Sequence, residues 1–206
     1  MKFRTFALTV VAACSLFACD QISDALPELT LGAEDGIPKV SGSTSFSLPA
    51  GFMCGDSIPD PQMKYEITTS GTDQECTFIF DQDVAVLKAE EYSKRPELEG
   101  AQLVKRVDMN VTALAVKDET GAEIVPKDLK GTAFGATILT KADLDKAPPF
   151  TKSIEGKPID SLKAAVQNKQ DIVIPVHVEI LVNMAPTPPG KVVLDYESQP
   201  NLVFGF

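Results

Sequence analysis

The sequence predicts an all-β domain: an antiparallel β-sandwich, immunoglobulin-like in general architecture, with one to three short helices. Three observations predict it. From Pro38 onward, apolar and polar residues alternate with a period near two, as in strands with one packed face and one wet face. Clusters of Gly, Pro, Asp and Ser interrupt that alternation at short intervals, as turns between strands do. Helical periodicity occurs only in brief stretches. The 206 residues suit one ordinary domain. A formal charge of −10 repels phosphate backbones, which argues against nucleic acid as a partner.

The chain opens MKFRTFALTVVAACSLFACD. Lys2 and Arg4 precede an apolar stretch from Thr5 to Ser15. That stretch is about half of the roughly 20 residues a membrane-crossing helix needs, and its order is that of an export signal. Leu16-Phe17-Ala18-Cys19 resembles the lipobox of bacterial lipoproteins, with Phe17 bulkier than that family usually places there. The resemblance covers the export signal alone. It implies cleavage after residue 18, a diacylglyceryl group on the Cys19 thiol, and residence in the bacterial cell envelope. Val11-Ala12-Ala13-Cys14 also fits the pattern, and would leave an apolar stretch on the cleaved chain. Removing residues 1–18 takes away two bases and no acid. The more acidic chain that remains would be repelled by anionic headgroups, so acyl chains would have to hold it to the membrane.

The four cysteines are Cys14, Cys19, Cys54 and Cys76. With Cys14 lost and Cys19 lipidated, an even pair remains, and an oxidising compartment predicts a Cys54–Cys76 disulfide. Lipidation at Cys14 would leave an orphan thiol, so parity favours Cys19. One distant His gives the pair no zinc spacing.

Residues 19–37 are acidic and irregular and read as a lipidated Cys and tether, with a reach of about 25 Å. The alternative is that Leu29 and Leu31 dock as a first strand. Residues 38–206 form the single sandwich domain. Its expected strands begin with Val40 to Leu48, stopped by Pro49-Ala50-Gly51. Gln62 to Thr69 follows, then Glu75 to Phe80 with Cys76, Phe78 and Phe80 on one face. Val84 to Leu87 continues after a bend at Asp81-Gln82-Asp83. The next strand spans Gln102 to Lys117, with Val107, Met109, Val111, Ala113 and Ala115 on one face. Leu129 to Leu139 reads as one strand whose small residues at 131–136 let something pack closely. Asp171 to Val182 carries an unbroken Ile/Val face, and Pro175 argues there for an edge or a bulge. Lys191 to Tyr196 returns along the sheet, and Leu202, Phe204 and Phe206 close the core. Alternation up to a final aromatic also resembles the last strand of outer-membrane barrels, but several strands here are interrupted by charges. The short helices are expected after Thr140, which has capping-box spacing to Asp143, over Asp160 to Lys169, and over Ala89 to Ser93.

Chemistry is sparse. His177 is the one histidine, two residues from Glu179 on a polar strand face, with no nucleophile motif beside it. Asp56 with Asp60, Asp81 with Asp83, and Asp118 with Glu119 are carboxylate pairs without calcium-loop spacing, and read as solvated turns. The expectation is a non-enzymatic, membrane-anchored envelope lipoprotein without cofactor or metal, serving a structural or binding role. The alternative is a carrier or chaperone for an apolar envelope ligand, held between the sheets by residues 131–136 and the Ile/Val face at 172–182.

Overall fold

The computed structural model describes residues 27–54, 64–69, 75–184 and 189–206, with the backbone alone at 42–44 and 64–69. Cys14, Cys19, Asp56 and Asp60 lie outside the described residues. The described residues form ten strands: β1 (Glu28–Leu31), β2 (Val40–Ser47), β3 (Lys64–Thr69), β4 (Glu75–Leu87), β5 (Leu103–Lys117), β6 (Asp128–Ala133), β7 (Ala136–Thr140), β8 (Phe150–Glu155), β9 (Ile172–Asn183) and β10 (Lys191–Gly205). Two short helices join them, α1 (Lys141–Lys146) and α2 (Ser161–Gln167). Short 3-10 helices complete the set, among them Ala89–Lys94 ahead of Pro96. All three expected helical stretches are therefore present.

The strands build two antiparallel sheets, and the fold is the expected sandwich. In the first sheet β10 lies between β5 and a shared row of β1 and β2, with β8 beyond β5. In the second the order is β3-β4-β9-β6-β7. Apolar residues of the inner faces make the core: Ile172, Ile174, Ile180 and Phe78 from one sheet, and Val107, Met109, Leu194, Leu202 and Phe204 from the other. The last strand thus closes the core, as expected.

Four expectations are corrected. Strand β1 lies within the 19–37 segment, as the alternative of Leu29 and Leu31 docking as a first strand has it, and not in a tether. Leu31 and Ile37 are buried, because β1 pairs with the end of β10. Leu129 to Leu139 is a hairpin, β6–β7, turning at Phe134-Gly135 with both φ positive, at 52° and 78°. A two-residue hairpin turn of that hand matches strand twist. The inward face of β5 changes after Val111, since Thr112 is an extra residue against the Glu197/Ser198 step. Leu114 and Val116 therefore enter the core in place of Ala113 and Ala115. Finally, β9 is central and unbulged at Pro175.

The prolines of the central strands share one solution. Pro175 accepts the Phe134 N–H at its carbonyl, so its ring nitrogen points the same way, past the end of β6. Pro200 accepts from Gln199 Nε2 rather than from a neighbouring strand, in the gap between β2 and β1. In both places the missing N–H faces no ladder partner. The strand β8 was not anticipated. Its one well-buried residue, Ile154, gives no readable pattern.

Cys54 and Cys76 are joined in a disulfide, which ties the segment after β2 to the inner face of β4. Among the described residues no helix is long and apolar enough to cross a membrane.

Candidate functional site

Between the sheets lies a cavity of about 460 Å³. The register explains its position. On β4 the inward residues run Phe78, Phe80, Gln82, facing Ile180, Val178 and Val176 across the β4–β9 ladder. On β10 they run Leu194, Tyr196, Ser198. The aromatic rings of Phe46 and Phe80 meet edge to face at 4.3 Å between centroids, and Phe46 also packs on Phe78 at 5.0 Å. These contacts join β2 to β4, and the cavity lies beside them. Met109, Val111, Ile138, Val176, Val178 and Leu194 supply further apolar lining.

Four uncharged polar residues belong to the lining: Ser45, Gln82, Tyr196 and Ser198. The Tyr196 hydroxyl donates across the sheets to Gln82 Oε1, and Gln82 is exposed, so this pair marks the open side. Burial pushes the Tyr196 phenol pKa up, and the bond to Gln82 opposes that rise. Ser198 is buried, and its hydroxyl has no protein partner. An unpaired buried hydroxyl costs about 1–3 kcal/mol.

The segment 131–136 does not line the cavity. Its small residues serve the hairpin: a Cβ on Gly131 would sit 2.9 Å from Leu139 Cβ, so Gly131 makes room for that side chain. Leu139 in turn lines the cavity. Of the Ile/Val face at 172–182, Val176 and Val178 reach the cavity while Ile172, Ile174 and Ile180 are packed away.

His177 lies on the outer face of the second sheet. Nδ1 is 2.6 Å from Asp81 Oδ1 and Nε2 is 3.0 Å from Glu179 Oε1. The Asp81 bond first, and then the Glu179 bond, raise the imidazole pKa. Asp81 and Asp83 sit within β4 rather than in a turn, which corrects that expectation. Asp118 does cap a turn, accepting from Thr120 Oγ1 and from the N–H groups of Thr120 and Ala122. Those bonds, the Thr120 hydroxyl foremost, hold its carboxyl below the usual range. Among the described residues no cluster of three or more metal-ligating side chains occurs.

Gln82, Tyr196 and Ser198 were not singled out from the sequence. The available signal was a polar residue at an inward position of an alternating strand. No known protein family, curated protein or solved structure matches this chain.

Proposed function

We propose that this chain is a membrane-anchored envelope lipoprotein, lipidated at Cys19, whose sandwich holds an apolar ligand between its sheets without catalysing a reaction. The supporting observation is the cavity. Its volume falls within the range of small-molecule sites, and its lining is largely aliphatic and aromatic with a few polar groups at the open side. His177, the chain's one imidazole, has both ring nitrogens engaged on the outer face, away from that lining.

The ligand half is tested by titrating delipidated protein with N-phenyl-1-naphthylamine, a neutral probe that fluoresces in apolar surroundings. Saturable one-to-one binding is expected. Val176→Phe places a ring into the cavity and should weaken binding about tenfold or more while leaving the unfolding transition cooperative. Absence of saturable binding to the wild-type chain would overturn the reading. The anchor half is tested by membrane fractionation and intact-mass measurement. The wild type should sediment with membranes carrying acyl mass at Cys19, and Cys19→Ala should become soluble. A bare Cys19 thiol in the native protein would defeat it.

A further inference from the structure

We infer that the ligand is a neutral single-chain amphiphile: an aliphatic tail with an uncharged head bearing hydroxyl or carbonyl groups. This rests on the binding reading above and specifies its ligand.

Volume sets the scale. A cavity of about 460 Å³ holds on the order of 15 chain atoms, if each takes roughly the share a water takes in the liquid, ~30 Å³. That suits one acyl or alkyl tail and excludes a two-tailed phospholipid held whole.

Charge sets the head. Among the described lining residues there is no Lys, Arg or His. The charged ones are Asp81 and Glu197, both acidic. Asp81 faces His177, and Glu197 accepts from Lys39 at 2.9 Å and from Thr112 at 2.8 Å. Lys39 holds the Glu197 carboxyl below its usual range, aided by Thr112, and the partners of both acids lie outside the lining. A carboxylate or phosphate head would lose water and gain no cation, which is costly. An ammonium head would find each acid already partnered.

Hydrogen-bonding capacity matches an uncharged head. The Tyr196–Gln82 bond uses the one phenolic proton. The Gln82 amide hydrogens and the Tyr196 oxygen lone pairs remain to donate to a carbonyl or accept from a hydroxyl. Ser198 lies beside them with a buried hydroxyl that has no protein partner. The hydrogen-bonding capacity left over at the site is therefore on uncharged groups.

The test holds the tail constant and varies the head. Delipidated protein at pH 8, loaded with N-phenyl-1-naphthylamine, is titrated with tetradecanol or monomyristoylglycerol, with myristate, and with a tetradecyl trimethylammonium salt. All are kept below their aggregation concentrations. The neutral compounds should displace the probe at least tenfold more tightly than either charged one. Gln82→Leu combined with Tyr196→Phe should remove most of that preference, bringing the neutral and charged compounds to within about twofold of one another when each is referred to the variant's own affinity for the probe. Myristate or the ammonium salt binding as tightly as the neutral compounds would overturn the inference and leave the apolar-ligand reading standing. So would failure of every tetradecyl compound to displace a bound probe. Failure of the probe itself to bind would remove both.

Discussion

His177 holds two carboxylates together on an exposed sheet face. Asp81 stands directly across the ladder and Glu179 two residues along the same strand. Both favour the imidazolium, so the folded-state pKa lies above the ordinary value near 6.5. The stabilisation is therefore complete below that value and is lost as pH rises through the raised one. Urea unfolding between about pH 6 and 8 should show the wild type losing stability with rising pH, and His177→Gln should flatten the trend. The group is too exposed for a large effect. The neighbourhood of His177 was half legible in the sequence. Glu179 shares its face by alternation, whereas Asp81 arrives only through the β4–β9 register, which no local pattern specifies.

Elements were legible where burial is one-sided and uninterrupted. The strands β2, β4, β5 and β9 follow from alternation alone, and α1 from the Thr140–Asp143 capping box, whose reciprocal bonds measure 3.3 Å and 3.0 Å. What escaped has physical causes. A bulge such as Thr112 adds one residue and leaves no mark in composition, yet it turns every later side chain of β5 over. Phe134 is not a residue that announces a turn, so the β6–β7 hairpin read as one strand. The cavity escaped for the same reason as the hairpin. Its lining comes from six strands, and only pairing shows that Gln82, Tyr196 and Ser198 share an interior.

The hairpin also yields a prediction. Gly131→Ala puts a methyl 2.9 Å from Leu139 Cβ in a buried, hydrogen-bonded pair of strands, where neither backbone yields cheaply. A loss of about 1–3 kcal/mol is expected in denaturant unfolding. Because Leu139 also lines the cavity, binding of the neutral probe should weaken in the same variant.

At the scale of the molecule, one covalent bond ties the segment after β2 to the second sheet. The Cys54–Cys76 bridge spans a sequence separation of 22 residues. A closed loop of that length stabilises by about 3 kcal/mol in the chain-entropy model. Replacing both cysteines by serine should lower unfolding stability by about that amount. Intact mass under non-reducing conditions should show no alkylatable thiol at either position.

The first strand guards the last. Glu28–Leu31 covers β10 from Leu202 to Gly205, beside the fully buried Leu202 and Phe204. A cut ahead of Glu28 would leave that pairing in place. One beyond Leu31 would strip that cover and bare a row of unpaired N–H and C=O groups, a template on which another molecule could add its own strand. A shift of a few residues in the cleavage point would therefore separate a covered β10 from one open to self-association.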